Sequence, residues 1–180
     1  MRRGPDLLPE APAAATTGRY SARYEPHEGP VRRFRLLLFA APPDRLHAEV
    51  LSPVGTTALV VDGGGGQLAV TVPGERTAYV GPERPEALER LLGLPLTLQG
   101  AVTALLEGPP SSSTAVQREG GPRGTLPERL ELRGSAGRLA LRLQQRRAIP
   151  ADRAAELGTG RPPAGVERLP LEAWLERAAP

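Results

Sequence analysis

The 180-residue chain has no cysteine, and reading along it there is also no lysine, no asparagine and a single isoleucine, Ile149. Without cysteine there is no disulfide framework, no thiolate metal site and no cysteine nucleophile. Aromatic residues are scarce, with one Trp, three Tyr and two Phe. All 23 basic residues are arginine. Lys, Asn and Ile draw on AT-rich codons, so their scarcity reads first as the imprint of a GC-rich genome. With no lysine titrating near pH 10 the pI is high, yet 20 acidic residues leave a formal net charge of only +3. That balance is a poor argument for nucleic acid, whose binders gather charge into stripes interleaved with aromatic or polar readers. No nucleic-acid partner is expected. No run reaches the roughly 18 consecutive apolar residues of a membrane helix, and no apolar signal core follows Arg2 and Arg3.

What is present is punctuation: 21 Gly and 21 Pro separate short apolar stretches. Residues 1–17 hold three prolines and a run of alanines without periodicity, and read as a flexible tether; order is expected from Gly18. Strand signals then follow at 18–25, 31–40, 45–51, 57–62, 67–72 and 76–80, each bounded by Pro- or Gly-containing turns. Leu46, Ala48 and Val50 alternate with Arg45, His47 and Glu49, so one face is apolar and the other wetter. Connections this short predict an antiparallel meander. The period changes at Pro85, where Leu88, Leu91 and Leu92 make a helical stripe that Gly93 closes. Thr97 is placed to cap a second helix with the stripe Leu98, Val102, Leu105 and Leu106. Residues 109–125 read as loop. Strands return at 128–133 and 138–145, with strict alternation of Leu139, Leu141 and Leu143. Leu171, Trp174, Leu175 and Ala178 have helical spacing, giving a C-terminal helix at about 170–178.

The catalytic inventory is thin. His27 falls in a turn and His47 on the wetter strand face, both read as ordinary surface histidines without a ligand-spaced partner. Asp62 and the glycines at 63–66 follow a strand but lead into another strand; a phosphate-cradling loop needs a helix N-terminus, and a P-loop also needs lysine. This is a hairpin turn. Ser111–Ser113 lacks both a nucleophile-elbow frame and a nearby base. No enzyme, metal or cofactor is expected. Residues 118–147 carry eight arginines against Glu119, Glu128 and Glu131, which reads as a solvated strand face or, more sharply, as a surface attracted to anionic lipid headgroups or an acidic partner. A core of Leu, Val and Ala can pack on itself or line a cavity for hydrocarbon, and composition does not separate the two.

Three stretches carry a family likeness. Residues 45–62 contain the turn Pro53-Val54-Gly55; residues 91–110 contain Leu92-Gly93-Leu94-Pro95 and Leu106-Glu107-Gly108-Pro109; residues 126–144 form a closing hairpin. In order and spacing these resemble the LolB-like family of outer-membrane lipoprotein receptors, over roughly residues 18–147. The chain differs in having a Pro-rich tail before its first strand where that family has a helix, and Ala104 at about the place of a Trp. The span between helix pair and closing hairpin is shorter, and the C-terminal helix is additional.

The resemblance implies a mainly β fold, a curved, incomplete antiparallel barrel with a helical lid (85–107) over an apolar cavity, in a single domain spanning 18–180. Implied cavity residues are Leu36, Leu38, Leu46, Val50, Leu59, Val61, Leu68, Val70, Leu88, Leu91, Leu92, Val102, Leu105, Leu106, Leu139 and Leu141. Pro53, Val54 and Gly55 would form the loop that meets the membrane. The implied function is to accept acylated lipoproteins from a LolA-like periplasmic carrier and insert them into the outer membrane's inner leaflet, as a monomer and without a cofactor. Residues 1–17 would then be the tether of a lipid-anchored protein whose lipidated cysteine is missing from this chain. A same-fold protein with another cargo, an RseB-like sensor, or a structural envelope module with a filled core are the alternatives.

Overall fold

The computed structural model describes residues 15–108 and 115–177. Ten strands join one large sheet that does not close, accompanied by four short helices. The first six strands are β1 (Thr16–Pro26), β2 (Arg32–Ala41), β3 (Arg45–Leu51), β4 (Thr57–Gly64), β5 (Gln67–Val72) and β6 (Thr77–Pro82). They form the expected meander, each antiparallel to the next. Helices α1 (Pro85–Leu92) and α2 (Leu98–Leu106) follow, then β7 (Val116–Glu119), β8 (Arg129–Gly134) and β9 (Gly137–Ala148). β9 returns to pair with β1 along its whole length, so the sheet order is β10-β6-β5-β4-β3-β2-β1-β9-β8-β7. Helix α3 (Ala151–Glu156), β10 (Glu167–Pro170) and α4 (Leu171–Glu176) complete the described elements. Both edge strands, β7 and β10, are only four residues long, which limits the unpaired backbone they present to other chains.

Alternation explains which face became the core. Tyr20, Ala22, Leu36, Leu38, Leu46, Ala48, Val61, Leu68, Val70, Leu130, Leu132, Leu139 and Leu141 belong to one buried cluster, together with Leu88, Leu98, Val102, Leu105 and Leu106 from the helix pair. The bulges at Arg19/Tyr20 and Val50/Leu51 add local twist and bend, as an extra unpaired residue does. Pro85 starts α1, and Gly93 ends it in the left-handed region with its N–H on the Glu89 carbonyl at 2.7 Å. The Thr97 hydroxyl caps α2 by accepting from the Gly100 N–H at 3.0 Å.

Several expectations are corrected. Order begins before Gly18: Thr16 and Thr17 already pair with Ala40 and Phe39 on one side and with Ala148 and Arg147 on the other. Residues 1–14 of the expected tether lie outside the described residues, as do Ser111–Ser113, Pro109 and Ala178. The span 109–125 is not all loop, because Val116–Glu119 pairs with β8; four residues with one buried valine give too short an alternation to register as a strand. The four glycines divide: Gly63 and Gly64 are strand, and only Gly65 and Gly66, with φ of 59° and 71°, make the turn. Gly63 has no room for a side chain, since a Cβ there would lie 2.4 Å from the Leu98 Cδ2 of α2. The sheet is not wholly antiparallel either, for β10 lies parallel to β6. α4 packs on β5 and β6, burying Leu171 and Trp174.

Candidate functional site

The face of the sheet bearing the core meets α1 and α2 across a narrow apolar crevice of about 100 Å³. Strand side chains on one side are Phe34, Leu36 and Leu38 from β2, Leu46, Ala48 and Val50 from β3, and Leu59 and Val61 from β4. Val116, Leu130, Leu132, Leu139 and Leu141 continue the wall from β7, β8 and β9. Leu88, Leu91 and Leu92 of α1, Leu96 of the elbow, and Ala101, Ala104 and Leu105 of α2 face them. Phe34 is the one aromatic ring, and no charged side chain takes part. Of the sequence-derived candidates, Leu68, Val70, Val102 and Leu106 are buried in the same cluster but do not line the crevice. The remaining twelve do.

The helix pair is tied down at identifiable points. The Glu83 carboxylate accepts from the Leu98 N–H at 3.0 Å, and the Ser135 hydroxyl donates to Glu89 at 3.0 Å. Arg90 donates to the Trp174 and Leu175 carbonyls at 2.6 and 3.0 Å, and its guanidinium lies 4.6 Å from the centre of the Trp174 ring. A cation over an indole face is attracted by the ring quadrupole, by about 0.5–2 kcal/mol depending on desolvation. α1 is thereby fastened to the C-terminal helix.

Pro53, Val54 and Gly55 form the β3–β4 connection. The Ser52 N–H donates to the Thr56 carbonyl at 2.8 Å, the Gly55 N–H to Ser52 at 2.9 Å, and the Ser52 and Thr56 hydroxyls meet at 2.7 Å. Gly55 has φ of 88°, a region that other residues avoid. This rigid turn holds Val54 87% exposed, more than any other large apolar residue described.

The opposite face of the sheet carries a polar cluster that overturns the reading of His47 as a surface residue. His47 is only 14% exposed at its side chain, with Nδ1 2.7 Å from Asp62 Oδ2 and Nε2 3.1 Å from Glu49 Oε1. Burial alone would discharge the imidazole, but the two carboxylates overcome it and push its pKa up to about 9. Asp62 and Glu49 are in turn held below the usual carboxylate range. For Asp62 the His47 interaction and backbone N–H donors prevail over burial, and for Glu49 the bond to His47 is the main cause. Asp62 also accepts from the N–H groups of Gly158, Thr159 and Gly160 at 3.0, 2.7 and 2.8 Å.

Arg45 donates to the carbonyls of Gly158, Ala154 and Leu157 from the same side. Together these groups clasp the segment after α3 onto the sheet, so closely that a Cβ on Gly64 would stand 2.1 Å from the Gly158 oxygen. Both imidazole nitrogens face carboxylates, which leaves no lone pair for base catalysis. No group of His, Asp and Glu among the described residues has an arrangement that holds a metal ion. The sequence hinted at this clasp through Asp62 in an otherwise apolar strand and through His47 and Glu49 sharing one strand face. His27 is exposed, with its Nε2 at 3.3 Å from the Gly134 carbonyl.

The arginines of 118–147 are not uniformly solvated. Arg118 donates to the carbonyls of Leu105, Pro122 and Thr125 at 3.2, 2.9 and 2.9 Å, and Arg146 to that of Leu126 at 2.6 Å. Both serve as backbone ties for the β7–β8 connection. Tyr20, wholly buried, donates to the Pro127 carbonyl at 2.7 Å, and burial drives its hydroxyl pKa well upward. No protein-family model matches the chain, and no curated protein matches it in sequence.

Proposed function

We propose that this chain is an acyl-chain receptor of the LolB-like kind. In this reading it takes lipid-modified proteins from a LolA-like carrier and passes them into the inner leaflet of the outer membrane, from a position on the periplasmic face. The observation that carries the reading is the aliphatic crevice between an open sheet and the helix pair α1–α2. Each methylene exposed to water costs about 0.8 kcal/mol, so free acyl chains cost tens of kcal/mol. A wall of Leu, Val and Ala removes that cost without any polar group to oppose entry. α1 and α2 then act as a lid. Opening the lid means releasing the Arg90 bonds to α4 and the Glu83 and Ser135 ties.

The exposed Val54 supplies a probe of the membrane. One valine contributes only about 1.5–3 kcal/mol on burial, enough for transient contact and not for anchoring. Transfer onward needs only a bilayer in which the chains have lower free energy than in the crevice.

A second reading is favoured by the crevice volume. About 100 Å³ is several times less than the roughly 300–1,000 Å³ of small-molecule pockets, which fits a structural module with a filled core. Acyl binding therefore requires α1 and α2 to move away from the sheet. Mass spectrometry of the native protein for co-purified lipid, together with uptake of a palmitoylated peptide, separates the two. The receptor reading expects uptake that Leu91→Glu abolishes, because Leu91 is half-buried at the lid and tolerates a polar group in the fold. Absence of both lipid and uptake assigns the filled core. Val54→Glu is expected to bind peptide normally and to lose transfer to liposomes; equal transfer removes Val54 from the mechanism.

A further inference from the structure

The outer face of the five strands β2-β1-β9-β8-β7 forms an open groove of about 710 Å³, and its chemistry is unlike that of the crevice behind it. Strand register resolves the groove into two rows running across the sheet. In the first, Arg33 stands opposite Arg23, Arg23 opposite Ala140, and Ala140 opposite Glu131. In the second, Arg35 stands opposite Ser21, Ser21 opposite Arg142, and Arg142 opposite Arg129. The small side chains of Ser21 and Ala140 form the floor, and five guanidinium groups stand around it.

Like charges directly opposite one another on neighbouring strands are destabilising, yet this face holds two such pairs, Arg23–Arg33 and Arg129–Arg142. The acidic residues present offset them only in part, each pair keeping one arginine without a carboxylate partner among the described residues. Glu131 is bound by Arg133 and Arg138, both outside the groove. Glu25 pairs with Arg23 at 2.6 Å, and Glu119 reaches Arg129 only at 3.5 Å. Arg33, Arg35 and Arg142 make no ion pair among the described residues. An anion in the groove would offset this repulsion.

We propose that the groove is a binding site for phosphate groups, in a ligand carrying at least two such charges. Planar guanidinium forks match phosphate oxygens bidentately, and two facing arginine pairs present several forks across adjacent strands. The groove offers no aromatic platform for base stacking, because Phe34, its one aromatic residue, also lines the crevice on the opposite face. That favours a phosphorylated small molecule or a lipid headgroup over single-stranded nucleic acid, whose bases stack on such platforms. Pro53 lies at the rim, so the groove runs up to the turn that exposes Val54. The site does not depend on acyl-chain binding and stands whether or not that reading does.

The test is calorimetric titration of the full chain with inorganic pyrophosphate, beside co-sedimentation with phosphatidylcholine vesicles doped with cardiolipin, whose headgroup carries two phosphates. Arg35→Gln/Arg142→Gln should weaken pyrophosphate binding by roughly tenfold or more, the effect of losing one or two charge-assisted hydrogen bonds, and binding should fall steeply with salt. Arg153→Gln, on exposed α3, should change neither. Because removing one member of a repelling pair relieves strain, Arg142→Gln alone should melt no lower than the wild type, and pyrophosphate should raise the melting temperature of the wild type far more than that of the variant. Vesicle binding lost in the double variant without pyrophosphate binding assigns the phosphate to a lipid headgroup; the reverse assigns a soluble ligand. Equal binding by wild type and double variant, or no binding of either probe, overturns the proposal.

Discussion

Replacing Asp62 by Asn tests the clasp that joins β3 and β4 to the segment after α3. Asp62 Oδ2 meets His47 Nδ1 and the Gly158 N–H, while Oδ1 accepts from Thr159 and Gly160. An amide in this place has no satisfactory orientation. One rotamer sets its NH₂ against the Gly158 N–H, and the other sets it against the Thr159 and Gly160 N–H groups. Each buried donor left without an acceptor costs about 1–3 kcal/mol, and an imidazolium losing its partner adds to that. The expected loss at neutral pH is therefore about 3–5 kcal/mol, a large part of the stability of an ordinary domain.

The wild-type pH dependence supplies an independent measure. His47 has its pKa raised in the fold, so its stabilisation is complete below about pH 6.5 and disappears as pH climbs through about 9. That interval, at about 1.4 kcal/mol per pH unit, corresponds to about 3 kcal/mol. Asp62 and Glu49 have lowered values, so their share is present above the ordinary carboxylate range and is lost as the medium becomes more acidic. Both describe one interaction and are not summed. Stability should peak between about pH 5 and 6.5. Urea unfolding followed by fluorescence of Trp174, the only tryptophan, checks this across pH 5–10, and NMR titration of His47 gives its pKa directly. Asp62→Asn should flatten the alkaline limb and bring the His47 midpoint down toward 6.5 or below. A His47 that titrates near 6.5 in the wild type, or an Asn variant of undiminished stability, would refute the reasoning.

Other expectations follow from single contacts. Gly63→Val should destabilise by about 1–3 kcal/mol through overpacking against Leu98, read as a lowered urea midpoint. Thr97→Ala should cost about 1 kcal/mol by removing the cap on the Gly100 N–H, with Thr97→Ser restoring most of it. Arg90→Ala releases α1 from α4 and should accelerate amide exchange in both helices more than in β1 or β9. Val54→Glu should leave the unfolding midpoint within about 0.5 kcal/mol of the wild type, as expected of an exposed turn residue.

Much of the fold was legible because backbone periodicity is a local property. The alternation of Leu46, Ala48 and Val50 and that of Leu139 and Leu141 specify which side of each strand is buried. Pro85, Gly93 and Thr97 set helix limits through capping chemistry confined to one turn. The apolar side of the crevice was readable for the same reason, since residues on buried faces of successive hairpins share one core. Short elements escaped: Val116–Glu119 and Glu167–Pro170 are strands because a neighbour's edge accepts them, not because their own pattern requires it.

By itself the sequence determined the faces, the turns and the absence of cysteine and lysine chemistry. Only the tertiary structure decided partners. β9 beside β1, β10 parallel to β6, and the glycine-rich segment at 158–160 on Asp62 are contacts between residues about 90 to 130 positions apart. No local spacing encodes such meetings. A histidine whose one neighbour on its strand face is Glu49 becomes a buried cation once Asp62 of β4 arrives on its other side, and arginines scattered over five strands become one groove. The physical reason is that periodicity constrains the direction of a side chain, whereas charge and burial depend on what else arrives there.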